Sequence, residues 1–264
     1  MPGDKSLRFG TAPERAFFPT GSSELASQKE IVLVHSSDLH VDDGYTARQW
    51  GGDGNRPLRA VLDVATGLDA DIVLLTGDTF EHNRLPETLL EETLRILGDA
   101  GREIVVLPGN HDPATDDSVW HRGGLHEPDN VHILGITHRH TVTFPEHDLE
   151  IWGRAHRDYE DMVPLAKPRR RKARWHIVLA HGHYEAKPDP KSTLRPSWLI
   201  SADEIHATEA DYVALGHWNT PKRVAGGKAR AYYSGSPDLA GTVNHVRLTS
   251  KGVQVGKAPV ILED

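Results

Sequence analysis

The chain has 264 residues, a length that accommodates one large domain or two small ones and that needs no covalent crosslinks to fold. It contains no cysteine, which excludes disulfide frameworks, thiolate metal sites and a cysteine nucleophile. The formal net charge of −8 argues against a protein that binds duplex nucleic acid mainly through a basic surface, whereas the 17 histidines indicate nitrogen ligands for a metal.

The first residues differ in composition from the rest of the chain. Residues 1–29 mix charges with proline, glycine and serine and lack the apolar core of a signal peptide. We expect them to form a poorly ordered or loosely packed N-terminal arm, and residues 30–264 to form a single domain. The sequence contains no run of about 18 apolar residues, the length that would span a membrane. These features predict a cytoplasmic protein without a membrane partner and carry no information on its oligomeric state.

The first half of the chain alternates between predicted strands and helices. Apolar runs at residues 31–34, 72–75 and 104–107 predict buried strands. Between them, apolar residues at helical spacing predict one helix over residues 58–68 and a second over residues 86–100. Strands that alternate with helices pair in parallel through right-handed crossovers, and uninterrupted apolar runs are typical of strands covered on both faces.

The second half of the chain changes to shorter strands in which apolar and polar residues alternate. Strands of this kind are predicted at residues 131–136, 141–144, 149–152, 229–234, 242–249 and 252–255. Uninterrupted apolar runs return at residues 177–180 and 212–215. Because alternation is typical of antiparallel pairing, the whole pattern predicts one α/β domain with two β-sheets.

A strongly basic segment precedes one of these strands. Residues 167–174 (KPRRRKAR) carry six basic side chains in eight positions. Such a run is typical of a solvated surface loop, and the alternative is a contact with a nucleic-acid backbone.

Polar residues follow five of the buried strands, in most cases beside a glycine. The segments are Ser36–His40, Thr76–Asp78, Pro108–Asp112, His181–His183 and Gly216–Asn219. Ligands of open α/β sheets bind beyond the carboxyl ends of the strands, and glycine permits tight turns there. We therefore expect all five segments to meet in one crevice.

The side chains of these segments indicate metal chemistry. Carboxylates, amides and imidazoles suit manganese, iron or zinc in octahedral-like sites better than calcium. Asp78 lies between the other segments and can bridge two ions with its two oxygens. Two cations about 3.5–4 Å apart bind a phosphate and lower the pKa of water toward neutrality. The natural reaction is therefore hydrolysis of a phosphate ester without a nucleophilic side chain.

The same segments resemble the successive motifs of the calcineurin-like metallophosphoesterases. They read Asp-Leu-His at 38–40, Gly-Asp at 77–78, Gly-Asn-His-Asp at 109–112, Leu-Ala-His-Gly at 179–182 and Gly-His at 216–217. The resemblance covers about residues 31–250, and residues 211–217 and 233–237 are similar to the SbcD-type DNA repair nucleases. It implies a four-layer α-β-β-α sandwich with two mixed β-sheets.

The resemblance also implies a centre of two divalent ions. We expect manganese, with iron, zinc and magnesium as alternatives. The implied ligands are Asp38 and His40 for the first ion, Asp78 between the ions, and Asn110, His181 and His217 for the second. His111 would contact the phosphate and protonate or stabilise the leaving oxygen, with Asp112 orienting its ring.

One position departs from the family pattern. The family's usual Gly-His-x-His is here Gly-His-Trp-Asn, so Asn219 replaces a histidine that binds the first metal. An amide oxygen is a harder and weaker donor than an imidazole nitrogen. Asn219 would therefore favour manganese or magnesium over zinc, or hold the ion loosely, unless His183 compensates. The alternative place for His183 is behind the ligands or facing the substrate.

The expected function is hydrolysis of phosphate esters, most of all phosphodiesters. An SbcD-like DNA exonuclease or endonuclease is one alternative, and a non-catalytic metal-binding scaffold of the same fold is another. His111 argues for catalysis because it has no evident structural task. Arg154 and His156 either reach a substrate phosphate or are ordinary surface residues. Since the sequence ends soon after its last predicted strand, we expect an enzyme that acts alone rather than the nuclease assembly.

Overall fold

A computed structural model describes residues 30–42, 44–189, 196–224 and 228–262. The predicted N-terminal arm, residues 1–29, lies outside the described residues. That residues 30–264 form a single domain stays a prediction. Within the described part of the chain, every helix is too short or too polar to cross a lipid bilayer.

Helices and strands alternate at first, and strands dominate the second half. The strands are β1 (Ile31–Ser36), β2 (Ile72–Thr76), β3 (Glu103–Leu107), β4 (Val131–Ile133), β5 (Thr141–Phe144), β6 (Leu149–Gly153), β7 (Trp175–His181), β8 (His183–Tyr184), β9 (Leu199–Ile200), β10 (Tyr212–Gly216), β11 (Lys222–Val224), β12 (Arg230–Tyr233), β13 (Thr242–Thr249) and β14 (Gly252–Pro259). The helices are α1 (Tyr45–Gln49), α2 (Arg56–Gly67), α3 (Glu87–Gly98), α4 (Ala202–Ala207) and α5 (Pro237–Ala240).

Two six-stranded mixed sheets form the centre of the molecule. The first has the strand order β14-β13-β1-β2-β3-β4, in which β1 to β4 are parallel and β13 and β14 are antiparallel. The second has the order β11-β12-β10-β7-β6-β5, with antiparallel edge strands around a parallel centre. The pairing in parallel predicted for the first three strands is confirmed.

Two of the predicted strands differ from the structure. The strand predicted over residues 131–136 ends at Ile133, because Thr137 Oγ1 accepts the Ile133 N–H and Gly135 turns the chain at a φ of +92°. The strand predicted over residues 229–234 pairs antiparallel with β11, as alternation indicates, but in parallel with β10 on its other side.

Each sheet buries both faces, and this explains the uninterrupted apolar runs. In β2, Val73 and Leu75 pack under α2 and α3, whereas Ile72 and Leu74 point into the core between the sheets. On the far side, Ile205 of α4 packs against the second sheet. The four-layer α-β-β-α sandwich with two mixed sheets is confirmed.

A buried polar cluster joins the two sheets. Nδ1 of His35, on β1, lies 2.8 Å from the hydroxyl of Tyr212, on β10. The amide nitrogen of Asn244 lies 3.2 Å from the same ring nitrogen and donates to the Tyr212 hydroxyl at 3.3 Å. Burial lowers the pKa of His35 from 6.5 to about 3, so this ring is neutral in the folded protein at neutral pH.

We expect this histidine to make the fold sensitive to acid. Between pH 6.5 and 3 the unfolded chain binds a proton that the buried ring does not, so the free energy of unfolding falls as pH decreases. At pH 5 the loss from this group is about 2 kcal/mol. Urea unfolding at pH 7 and pH 5 measures this loss in the free energy of unfolding, and the His35→Gln variant provides the comparison. The variant should lose less stability over this interval than the parent, and equal losses would contradict the assignment.

The basic segment, residues 167–174, lies at the opposite end of the second sheet from the predicted crevice. It precedes β7, so it borders the amino ends of the parallel strands. The side chain of Arg171 pairs with the carboxylate of Asp211, and the Lys172 N–H donates to Glu150 at 2.7 Å. These contacts support the surface-loop interpretation and separate the segment from the ends of the strands that carry the motifs.

Candidate metal centre

The segments that follow the parallel strands meet at the carboxyl edge between the two sheets. Nε2 of His181, the last residue of β7, lies 3.1 Å from Oδ2 of Asp78 and 3.0 Å from Oδ1 of Asn110. The His217 N–H, after β10, donates to Oδ2 of Asp38 at 3.0 Å. Side chains from both sheets therefore lie within contact distance in one cluster.

Two groups of potential ligand atoms overlap at one carboxylate. Asp38, His40 and Asp78 form the first group, and Asp78, His181 and His217 form the second, each with its ligand atoms within 4.8 Å of one another. Asp78 belongs to both groups. Asn110 borders the second group through its contact with His181.

The electrostatics of this cluster fit a cation. Burial raises the pKa of Asp38, while the pKa of Asp78 is lowered despite burial by the charge of His181. Burial lowers the pKa of His181, but the charges of Asp78 and Asp38 outweigh it and raise the pKa to about 9. A proton on His181 thus compensates buried negative charge, and a metal ion between the same atoms would take its place.

Hydrogen bonds already orient the imidazoles as ligands. The Nδ1–H of His181 donates to the backbone oxygen of Thr76 at 3.0 Å, which directs Nε2 toward Asp78 and Asn110. Burial, and then the charge of His181, lower the pKa of His217 to about 4, so its ring is neutral at neutral pH. A neutral ring is the state that metal coordination requires, and at His181 a metal ion would displace the proton.

The backbone around the cluster is strained and tightly packed. Asp38, His40, Asp78 and His217 all have positive φ angles, a conformation that is uncommon for residues other than glycine and is concentrated at functional sites. A Cβ atom at Gly109 would lie 2.2 Å from Oδ1 of Asp78. The sequence therefore places glycine where the backbone must approach the shared carboxylate.

Substitution of this glycine should disturb the centre. We expect Gly109→Ala to displace the Asp78 carboxylate and to lower both manganese affinity and phosphoesterase activity by at least about 10-fold, as loss of a ligand's support does. Gly67→Ala on α2 is the matched control, because a Cβ atom there meets no neighbour. Titration of both purified variants with manganese measures the effect. Equal affinities would show that the close approach at Gly109 is unimportant.

Glu81 is a member of the cluster that the sequence did not identify. Its Oε2 lies 2.7 Å from Nδ1 of His40, and its Oε1 lies 3.6 Å from Nδ1 of His111. The His111 Nδ1–H also donates to the backbone oxygen of Glu81 at 3.0 Å. Together His40, Glu81 and His111 form a further group of potential ligands. The available signal was an acidic residue in the same loop as Asp78, three positions later.

The structure corrects the expected contact of Asp112. Its carboxylate is buried and accepts the N–H groups of Gly109 at 2.7 Å and Phe80 at 3.0 Å. It therefore fixes the loop, and Glu81 orients the His111 ring instead. A hydrogen bond with Glu81 raises the pKa of His111 to about 9, and a hydrogen bond with His111 lowers the pKa of Glu81 to about 2.

The residues expected to contact substrate lie elsewhere. His156 is buried, and its Nε2–H donates to the backbone oxygen of His181 at 3.0 Å, so it supports that residue from behind. The guanidinium of Arg154 donates to the backbone oxygens of Val163 and Ala166 and holds that loop.

Two further residues were expected near the first ion, and the described contacts join neither of them to the cluster. Nδ1 of His183 accepts the indole N–H of Trp218 at 3.2 Å, and His183 belongs to none of the groups of potential ligands found among the described residues. Asn219 is exposed, and none of the contacts among the described residues joins its side chain to the cluster.

Comparisons with known proteins identify relatives of this chain. The D component of the nuclease SbcCD from Bacillus subtilis (strain 168) is 25% identical, over 78% of this chain and 61% of that protein, so the chain spans about three fifths of its relative. The structure of TT1561 from Thermus thermophilus superposes with a TM-score of 0.55 at 14% identity, covering 86% of this chain and 99% of that one.

A second solved structure has the same fold. It is a putative 5′-nucleotidase from Staphylococcus aureus, in complex with alpha-ketoglutarate, with a TM-score of 0.59 and 14% identity over 89% of this chain and 55% of that one. The model of the calcineurin-like phosphoesterase family matches residues 31–238, which contain every motif described above. The chain therefore belongs to the calcineurin-like phosphoesterase family.

Proposed function

We propose that the protein is a phosphodiesterase with two divalent metal ions at the carboxyl edge of the sheets. The observation that carries this proposal is the position of Asp78, whose carboxylate is common to two groups of potential ligands. A carboxylate with two oxygens is the group that two neighbouring cations can share. Asp38 and His40 would complete the first position, and Asn110, His181 and His217 the second.

The donor set favours manganese. The cluster combines carboxylate and amide oxygens with imidazole nitrogens and holds no thiolate, a mixture that manganese accepts readily. Iron, zinc and magnesium are alternatives. Because Asn219 is exposed and is a weak donor, the first position has fewer strong ligands than the second. We therefore expect the first ion to dissociate more readily.

When bound, the ions supply positive charge that binds the phosphate and lowers the pKa of the attacking water. His111 is the group that we assign to the leaving oxygen. Its Nδ1–H is held by the backbone oxygen of Glu81, and the Glu81 carboxylate lies beside it. A protonated Nε2 is then available to donate to the leaving oxygen. The Glu81 carboxylate also contacts His40, and this contact links the general acid, His111, to the first metal position.

An SbcD-like nuclease is the second candidate because the D component of SbcCD is a relative of this chain. Two features weigh against a duplex substrate held by a basic surface. The net charge is −8, and the basic segment, residues 167–174, borders the opposite end of the second sheet. A dinucleotide substrate needs no such surface. A non-catalytic scaffold is the third hypothesis, and the presence of His111 and Glu81 beside the cluster argues against it.

Hydrolysis of bis(p-nitrophenyl) phosphate tests the proposal. We expect turnover that requires a divalent ion and is fastest with manganese, and a metal content of two ions per chain after dialysis against manganese. Release of p-nitrophenol measures the turnover, and elemental analysis measures the metal content. Two bound ions without turnover would favour the scaffold, and the absence of both would overturn the proposed centre. Degradation of DNA that declines steeply with salt would favour the nuclease.

A further inference from the structure

An indole lies on the second-sheet side of the metal centre and has no part in the chemistry proposed above. The ring of Trp198 meets the ring of His217 at a centroid distance of 5.7 Å and the ring of His156 at 5.4 Å, both nearly perpendicular. It is only partly buried. Trp198 therefore forms part of the wall of the crevice beside a metal-binding position.

The position of this indole is fixed by its backbone and its side chain together. Its backbone N–H donates to Oδ1 of Asp161 at 2.6 Å, and its indole N–H donates to the backbone oxygen of Glu160 at 3.0 Å. Its φ angle of +52° is uncommon for a bulky residue. A strained conformation held by two hydrogen bonds beside a reactive centre indicates a functional constraint on where the ring lies.

The neighbouring tryptophan is engaged on both faces and does not offer the same surface. Trp218 stacks on Tyr233 at 4.4 Å with an interplanar angle of 9°, and the ammonium group of Lys222 lies 5.0 Å from its centroid. Its indole N–H donates to His183. Among the described residues, Trp198 is the one of these two indoles that has neither a stacked ring nor a cation over it.

The two sides of the centre have different tasks in the proposed reaction. His111, which we assign to the leaving oxygen, lies with His40 and Glu81 on the first-sheet side. Trp198 lies against His217 and His156 on the second-sheet side. In an in-line displacement the leaving group departs on the side of the acid. The attacking water lies opposite the leaving group, and the retained group lies to the side of that line. A group of the ester that reaches Trp198, away from His111, is therefore the retained part and not the leaving group.

We propose that Trp198 is a specificity-determining residue that stacks against a planar ring in the retained part of a phosphodiester, a ring of the size of a nucleobase. The proposal rests on the phosphodiesterase function argued above. Stacking on an aromatic side chain tolerates any base because every base has a π-face. It also needs no basic surface, in agreement with the acidic charge of the chain.

Two substrates with one leaving group test this assignment. Thymidine 5′-(p-nitrophenyl) phosphate retains a nucleoside, whereas methyl p-nitrophenyl phosphate retains a methyl group, and both release p-nitrophenolate. We expect Trp198→Leu to lower kcat/KM for the nucleoside ester by about 10- to 100-fold, mainly through KM, and for the methyl ester by less than about 3-fold. Trp198→Phe should keep most of the parent protein's preference in kcat/KM for the nucleoside ester over the methyl ester.

Trp175→Leu is the matched control, because this tryptophan lies at the start of β7, at the other end of the sheet. It should leave the ratio of the two kcat/KM values unchanged. Quenching of protein fluorescence by thymidine 5′-monophosphate gives a readout of binding that is independent of turnover, and Trp198→Leu should weaken that binding by a similar factor. Thermal unfolding confirms that each variant is folded.

The outcomes separate this inference from the function on which it rests. If the parent protein hydrolyses neither ester with any divalent ion, the phosphodiesterase proposal fails. If it hydrolyses both and Trp198→Leu reduces both equally, the residue supports the centre instead of selecting the substrate. If the variant reduces neither, the ring does not contact the substrate. Either of the last two results overturns the assignment of Trp198 and leaves the proposed function intact.

Discussion

Asp78→Asn should abolish most of the metal-dependent activity while leaving the fold intact. The side chain is buried, and its carboxylate is common to both groups of potential ligands. Asparagine has nearly the same size but lacks the negative charge and one oxygen acceptor, so neither cation position keeps its shared ligand. Because a catalytic metal is worth several kcal/mol in the transition state, we expect kcat/KM with manganese to fall by at least about 10³-fold.

Hydrolysis of bis(p-nitrophenyl) phosphate and elemental analysis of the same preparations measure this loss. Bound manganese should decrease together with activity. Asp63→Asn is the control, since this exposed aspartate lies on α2, far along the chain from any motif. A folded Asp78→Asn protein that retains both ions and a normal kcat would show that the ions do not share this carboxylate.

The second large effect is expected at His111. Its ring is held by Glu81 and lies 4.8 Å, between centroids, from the ring of His40. We expect His111→Gln to lower kcat by about 10²- to 10⁴-fold, as the loss of a general acid does, with little change in bound metal. Glu81→Gln should lower kcat in the same direction but less, because the backbone oxygen of Glu81 still accepts the His111 N–H.

The leaving group distinguishes proton donation from simple phosphate binding. An acid matters more for a poor leaving group, so the loss in His111→Gln should be larger for an alkyl leaving group than for p-nitrophenolate. Parallel kinetics with a dinucleotide and a p-nitrophenyl ester check this, with the exposed His121→Gln as the control. An equal loss on both substrates would assign His111 to phosphate binding alone.

Local sequence signals predicted the elements that carry the motifs. Uninterrupted apolar runs identified β2, β3, β7 and β10 within one or two residues of their observed bounds, because a strand buried on both faces has few alternatives. Helical spacing and proline identified α2 and α3 in the same way. The order of these elements then required their carboxyl ends to lie on one edge, which brings Asp38, Asp78 and His217 together.

Contacts between residues from different loops could not be predicted from local sequence signals. Asp112 follows His111 directly, and adjacency suggested a contact that the structure gives to Glu81, because the loop turns the Asp112 carboxylate toward backbone N–H groups. His156 was expected near the surface, and the packing of its loop against β7 buries it. Side-chain partners depend on how separate loops pack, and no local pattern records that.

The sequence by itself therefore determined the family, the two-sheet architecture and the set of oxygen and nitrogen donors, since these depend on short-range periodicity and on motifs at strand ends. Only the tertiary structure decided that Glu81 joins the centre, that the basic segment borders the far end of the sheet and that Trp198 flanks His217. Each of these is a relation between residues distant along the chain, and it is set by strand register and loop packing rather than by the residues next to it.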